Sequence, residues 1–547
     1  MIKNKHNICV DIANLFYDRG VRNICISPGL RNTAISLPFI KHKGFNCYSI
    51  IDERSSAYFA VGMSLKTTFP SVLICTSGTA VANYFPAIIE SSQSRIPLII
   101  ITADRPKNLI NSGTNQTINQ KYIYGVYVRD NINIIDNNTS LNKIDTSLQL
   151  AIGKDYHNNI ITPKGPIHIN IHLKDFINSN ITSSLYKPIK RDPIELSLQE
   201  HIFPKYKKAL IVIGRLNYRL DKKIINDLSK HLQAPILADS LSQFRFNNKQ
   251  SLGLYEFYIN DKTINPDIII RIGQKPVSKN LCKKLTDWKD KTILIDESGR
   301  FNDDCPRIIQ SNYIDFIKYL LKSIEKNSNT KFYNYIINLD RKILQILQDE
   351  KRWSELIIAN SCLNSLLKDE NLFIGNSMPI RYIDIANSLS KININTYSNR
   401  GASGIDGVIS TAMGVAKKSD KRTLLLIGDL SFYYDQNSLL IAQHYNVNLT
   451  IVIINNNGGG IFSLLPVSEL FDKNIFKKYW TTPHNLDFQK LAEFYNIDYK
   501  SVESEKELNN TLLEYKKMKG LKIIDAKIDI NKNKKIINDL KNKIKKG

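Results

Sequence analysis

Residues Thr423–Gly460 read TLLLIGDLSFYYDQNSLLIAQHYNVNLTIVIINNNGGG, and this stretch decides the architecture. TLLLIG and LTIVIIN are short apolar runs bounded by turn residues, the pattern of strands buried on both faces. Gln436–Tyr445, between them, has helical spacing. Two buried strands joined through a helix form a parallel pair, so the GD and NNNGGG turns emerge together at the carboxyl ends of adjacent strands, where open sheets bind ligands. There Asp429 offers a carboxylate, Asn456 an amide oxygen, and Gly458 a main-chain carbonyl that no side chain obstructs. Three hard oxygens suit a magnesium ion, with manganese as the alternative, that completes its shell from water and phosphate. Main-chain N–H groups at the helix start favour the same phosphate.

The pattern repeats outward along the chain. Asn371–Gly375, Asn395–Ser398 and Lys522–Ala526 are further strands of this block. An earlier block carries strands at Asn23–Ser27, Ser71–Thr76, Pro97–Thr102 and Pro166–His172, with helices over Lys5–Arg19, Ser55–Leu65 and Ala80–Gln93. A polar stretch, Asn178–Pro193, reads as a linker. A middle block follows with strands at Lys208–Gly214, Pro235–Asp239, Pro266–Gly273 and Thr292–Asp296, and ends in the helical passage Tyr313–Glu355. Alternating strands and helices mean parallel sheets covered on both faces. The fold class is therefore α/β, with three doubly wound domains spanning residues 1–180, 195–330 and 345–547. No internal sequence repeat is evident, although the first and third blocks share an architecture.

Composition narrows the function classes. The chain has 547 residues, too many for one core. No apolar run reaches 18 residues, and the N-terminus lacks the pattern of a signal peptide, so neither a membrane anchor nor export is expected. Seven scattered cysteines, without CxxC or zinc spacing, fit a reduced, cytoplasmic protein. The net charge of +24 comes from lysine spread along the whole chain. That spread reads as a solvated, compositionally biased surface rather than a nucleic-acid patch; the one dense run, Lys532–Lys546, has the spacing of a terminal amphipathic helix. No nucleic-acid partner is expected.

Asp429 and Asn456 lie 27 positions apart, and this spacing resembles the signature of thiamine-diphosphate enzymes, usually written GDG followed by NN. Such enzymes need a carboxyl group facing the cofactor's aminopyrimidine ring, where it holds a proton on the ring nitrogen. Glu53 in IIDER, after an apolar strand and before a helix, supplies one, and CTSGTAVAN (Cys75–Asn83) completes a pyrimidine-binding half.

The motifs SPGLRNT (Ser27–Thr33), DER (Asp52–Arg54), TSGTAVAN (Thr76–Asn83), TADRP (Thr102–Pro106), TNQTI (Thr114–Ile118), GNSMPIR (Gly375–Arg381), SNRGASGIDG (Ser398–Gly407), GDLS (Gly428–Ser431) and NNNGGGIFSLLP (Asn455–Pro466) occur in order. Together they resemble the 2-succinyl-5-enolpyruvyl-6-hydroxy-3-cyclohexene-1-carboxylate synthase family of menaquinone biosynthesis, in which GDLS is the local form of GDG. The resemblance implies a transferase that decarboxylates 2-oxoglutarate and adds the succinyl fragment to isochorismate. Glu53 would be catalytic and would touch the cofactor. Ser377, Gly404, Ile405, Gly428, Asp429, Leu430, Ser431, Asn456, Gly458 and Gly459 would bind the rest of it, with Ile405 wedged between its rings. Both substrates carry two carboxylates, and the resemblance assigns Arg31, Arg105, Arg381 and Lys279 to pair with them. Asn115, Gln116 and Ser377 would add hydrogen bonds, and Ile461, Phe462 and Leu465 an apolar wall. Some members carry arginine where this chain has Asn280, and serine where it has Leu30. The family also implies a homodimer that shares each active site between chains, with a tetramer as the larger alternative. Competing readings are another thiamine-diphosphate enzyme, such as an acetohydroxyacid synthase or a 2-oxo acid decarboxylase, and a non-catalytic, basic nucleic-acid-binding protein.

Overall fold

The structure is a computed structural model that describes residues 8–135, 141–155, 158–173, 206–297, 303–386 and 393–546. Among the described residues, eighteen strands form three six-stranded sheets, parallel throughout. The first contains β1 (Asn23–Ile26), β2 (Asn46–Ser49), β3 (Ser71–Cys75), β4 (Leu98–Asp104), β5 (Asn131–Ile134) and β6 (Pro166–His172) in the order β2-β1-β3-β4-β6-β5. The second contains β7 (Ala209–Ile213), β8 (Ile236–Ala238), β9 (Ser251–Leu252), β10 (Ile268–Ile272), β11 (Thr292–Ile295) and β12 (Ile308–Ile309) in the order β12-β11-β10-β7-β8-β9. The third contains β13 (Asn371–Ile374), β14 (Asn395–Tyr397), β15 (Thr423–Gly428), β16 (Leu449–Asn455), β17 (Asp498–Val502) and β18 (Leu521–Lys527) in the order β14-β13-β15-β16-β18-β17. Counted within each sheet, the first and third follow one strand order, a kinship that the residues do not display as a repeat.

In both of these sheets the order reverses beside the first strand, between β1 and β3 and between β13 and β15. Ligands of doubly wound folds sit outside the carboxyl ends at such points. The middle sheet has its own switch point between β7 and β10, but there the isolated bridge Arg215↔Gln274 spans the crevice. Gly214 lies so near that a Cβ on it would fall 1.6 Å from the Gln274 carbonyl oxygen.

Chain contacts divide the protein into two compact units. One comprises residues 1–195, 399–420 and 434–448. One core cluster lines a single face of the first sheet, through Ile24, Val72, Ile99 and Ile167, and the helix Glu53–Thr67 is buried continuously from Ser55 to Leu65. That helix lies against Val408–Lys417 and meets it through two glycines. A Cβ on Gly62 would stand 2.0 Å from the Thr411 carbonyl oxygen, and one on Gly414 would stand 2.1 Å from that of Phe59. The other unit comprises residues 196–398, 421–433 and 449–547 and holds the second and third sheets. One apolar cluster runs through it from Leu210 to Leu540 and takes in Phe332, Ile336, Ile343 and Leu347 of the helix Lys331–Gln348.

The expected helix over Ala80–Gln93 is two helices, Thr79–Asn83 and Phe85–Ser94, because Pro86, which has no N–H to donate, can stand only in a first turn. Asp429 is the first residue of a short helix, Asp429–Tyr434, rather than part of a turn, and helix Leu439–Tyr445 follows a 3-10 turn. The tail is helix Ile530–Lys546, with Ile536, Ile537 and Leu540 buried. The Asn178–Pro193 linker lies outside the described residues. All seven cysteines are free thiols, and among the described residues no helix is long and apolar enough to cross a membrane.

Candidate active site

The carboxyl ends of β15 and β16 bring the oxygen ligands of the second unit together. Asp429 is buried, and its Oδ2 accepts the Gly458 main-chain N–H at 2.8 Å while Oδ1 accepts that of Leu430 at 2.7 Å. The Asn456 Nδ2 donates to Glu355 Oε1 at 2.8 Å, which leaves Asn456 Oδ1 buried with no hydrogen-bond partner. An orphaned amide oxygen is costly in a protein interior and is what a bound cation would satisfy. Gly458 has φ +139°, and a Cβ there would come 2.2 Å from the Thr481 carbonyl oxygen, so only glycine fits. No His/Cys/Asp/Glu cluster of metal-site size occurs among the described residues, consistent with one carboxylate, an amide and a carbonyl leaving the remaining positions to phosphate. These residues fit a magnesium diphosphate.

Other residues surround this cluster. A Cβ on Gly428 would meet nothing within 4 Å, and Leu430 and Ser431 follow in the first turn of helix Asp429–Tyr434. The Gly459 N–H donates to the Thr481 carbonyl at 2.7 Å, and Ile461 and Phe462 follow on a 3-10 turn, Gly460–Leu464, with Leu465 just beyond it. Ser377 begins helix Met378–Ile385 with φ +70° and ψ −122°, a strained conformation for a residue with a side chain, and its carbonyl accepts the Arg381 guanidinium. Lys279 opens a separate helix, Lys279–Asp287, capped by Ser278. Among the described residues no hydrogen bond or ion pair joins it to the Asp429 cluster. Its neighbour Asn280 donates to the Glu256 main-chain carbonyl at 2.9 Å.

Sequence patterns did not point to two further residues here. Glu355, 74 positions before Asp429, is 2% exposed, and burial pushes its carboxyl up to about 7 against the hydrogen bond from Asn456. His484 places Nε2 3.2 Å from Asp429 Oδ2, although no histidine stands in a metal or triad pattern. The run NNNGGG and the aspartate were legible; their distant neighbours carry no local signal.

The first unit gathers a second set at the carboxyl ends of its sheet. Glu53 opens helix Glu53–Thr67 behind the cap Asp52, and its Oε2 accepts from Asn83 Nδ2 at 3.2 Å. Arg31, in the loop after β1, donates to the Leu173 carbonyl at 3.0 Å. Arg105, after β4, donates to the Asn115 carbonyl at 2.8 Å. Gln116 takes φ +54° beside Gly78. Arg105 is held by its surroundings: its N–H donates to Asp104, and its carbonyl meets His172 Nδ1. Asp104 in turn accepts from Asn170, which joins a buried chain through Thr102 to His168. Burial pushes the His168 imidazole down to about 3, so it is neutral. The loop with Gly404 and Ile405 is fastened in the same unit. Buried Glu90 accepts the N–H groups of Gly401 and Ala402 at 2.7 Å each, and the Tyr58 hydroxyl donates to Asp406 at 2.5 Å. Ile405 itself is exposed.

Two family models match the chain: "Thiamine pyrophosphate enzyme, N-terminal TPP binding domain" over residues 10–123 and "Thiamine pyrophosphate enzyme, C-terminal TPP binding domain" over residues 382–526. A 2-succinyl-5-enolpyruvyl-6-hydroxy-3-cyclohexene-1-carboxylate synthase of Bacillus pumilus (strain SAFR-032) is 32% identical over 568 residues, covering 97% of this chain and 96% of the relative. The synthase of the same name from Staphylococcus aureus (strain JH9) is 37% identical, with 92% and 91% covered. That of Staphylococcus aureus (strain bovine RF122 / ET3-1) is 38% identical, again with 92% and 91% covered.

Proposed function

The chain belongs to the 2-succinyl-5-enolpyruvyl-6-hydroxy-3-cyclohexene-1-carboxylate synthase family, and from that premise we propose that it decarboxylates 2-oxoglutarate and transfers the succinyl fragment to isochorismate, releasing carbon dioxide. Its cofactor is thiamine diphosphate. The observation that carries the site reading is the partnerless Asn456 Oδ1 two residues before Gly458, whose N–H is held by Asp429, an oxygen set suited to a cation. We assign that cation as magnesium, with manganese as the substitute.

Thiamine diphosphate, when bound, would supply the nucleophilic carbon and the electron sink that decarboxylation of a 2-oxo acid needs. The protein's part is binding, orientation and proton control. Asp429, Asn456 and the Gly458 carbonyl would hold the metal, and Gly428, Leu430, Ser431 and Gly459 would contact the cofactor. Glu53 holds a proton against the aminopyrimidine nitrogen. Ser377, Gly404 and Ile405 support the rings. Arg31, Arg105, Arg381 and Lys279 neutralise the substrate carboxylates, and Asn115 and Gln116 orient them. Ile461, Phe462 and Leu465 keep water from the reacting carbon.

The three domains at 1–180, 195–330 and 345–547 would be the pyrimidine-binding, central and diphosphate-binding parts. The family's arrangement supports a homodimer in which Glu53 of one chain serves the metal site of its partner. Seven free thiols support a cytoplasmic location.

The test supplies isochorismate, 2-oxoglutarate, magnesium and thiamine diphosphate and identifies the product by mass. The expected product is the succinyl adduct, formed with one carbon dioxide per turnover. Decarboxylation of pyruvate in preference to 2-oxoglutarate would overturn the assignment. Glu53→Gln should keep the fold and lose turnover; undiminished turnover would remove Glu53 from the chemistry.

A further inference from the structure

Both side-chain ligands of the proposed metal site are held from behind. Glu355 is the first residue of helix Glu355–Asn364, which Ser354 caps, and its own N–H is fixed by Asn533 Oδ1 at 3.0 Å. Its Oε1 accepts from Asn456 Nδ2, and that bond decides which end of the amide points away. The end left is Oδ1, buried and partnerless. Without an acceptor at 355, nothing distinguishes the two amide orientations, and one of them would present N–H groups to a cation.

His484 does the same for Asp429. The Leu486 main-chain N–H donates to His484 Nδ1 at 2.9 Å, which places the ring proton on Nε2, facing Asp429 Oδ2. The His484 main-chain N–H is itself anchored on Asn457 Oδ1 at 3.1 Å, which ties the imidazole to the NNNGGG turn. With Leu430 donating to Oδ1 and His484 and Gly458 to Oδ2, the plane of the Asp429 carboxylate is set before a metal arrives.

We infer that Glu355 and His484 are positioning residues of the metal–diphosphate site: Glu355 makes Asn456 present its oxygen, and His484 fixes the Asp429 carboxylate. The inference rests on the metal reading proposed above, and its test separates the two. Partners behind metal ligands commonly change affinity by about 10- to 100-fold when removed.

The experiment titrates full-length protein with Mn2+ in saturating thiamine diphosphate and counts free Mn2+ by electron paramagnetic resonance. Glu355→Ala and Asn456→Ala are each expected to weaken Mn2+ binding by about 10-fold or more, and the double variant to bind no worse than Asn456→Ala within about 3-fold, since the two act through one oxygen. Glu355→Gln, which retains an accepting oxygen, should restore most of the affinity and serves if the alanine variant does not fold. His484→Ala should lose about 10-fold, and His484→Gln, which keeps a donor, should lose less. Wild-type affinity in Glu355→Ala and His484→Ala, or losses that multiply in the Glu355/Asn456 double variant, would overturn the inference. Failure of the unaltered protein to bind Mn2+ with thiamine diphosphate would instead overturn the metal reading.

Discussion

Replacing Gly458 by alanine puts a methyl group where there is no room for one. The added Cβ would sit 2.2 Å from the Thr481 carbonyl oxygen, about 1 Å inside normal contact, on a backbone at φ +139° that L-residues avoid. Holding alanine in such a conformation costs about 1–3 kcal/mol. Moving the helical turn that ends at Thr481 away sacrifices the Gly459 N–H···O bond, a further ~1 kcal/mol. The sum, about 2–4 kcal/mol, falls on the conformation that presents the Gly458 carbonyl, because without ligand the turn can relax. Gly458→Ala is therefore expected to weaken thiamine diphosphate binding in saturating magnesium by about 30- to 700-fold. Calorimetric titration measures the affinity, and thermal unfolding without ligand should shift by only a few degrees. Binding as tight as that of the unaltered protein would refute the argument that glycine is required by the geometry of this turn.

Burial holds the His168 imidazole at about 3 against 6.5 in the unfolded chain, so the unfolded chain takes up a proton that the folded one excludes. Stability from this residue is complete above about pH 6.5 and is lost as pH falls towards 3; against the parent, His168→Gln should flatten the pH dependence of urea unfolding by up to ~1.4 kcal/mol per pH unit between about pH 6 and 4, and parallel curves would contradict this. Gly62→Val would drive a branched side chain into the Thr411 carbonyl, whose oxygen lies 2.0 Å from where the new Cβ would stand, and should destabilise the helix pair Glu53–Thr67 and Val408–Lys417 by at least about 1–3 kcal/mol. An unchanged thermal midpoint would contradict that contact.

The chain's own pattern determined the strands at the centres of the sheets. TLLLIG, LTIVIIN, SVLIC and ALIVI are buried at nearly every position, and a strand covered on both faces must write its burial as a continuous apolar run. The ligand turns were legible for the same local reason, since Asp429, Asn456 and Gly458 lie at the ends of two such runs. Apart from Asn395–Tyr397, several edge strands were not. NINI, with alternating burial, and DYKSV, mostly open, lack that signature, and β9 and β12 are two residues each. Nor does any local pattern join Glu355 to Asn456 across 101 residues, or His484 to Asp429 across 55. Periodicity records which face of a segment is covered, and motif spacing records which turns share an end of a sheet. Which distant side chain meets a ligand residue, and which glycines let two helices touch, depends on how the chain closes on itself. Tertiary packing alone decided that.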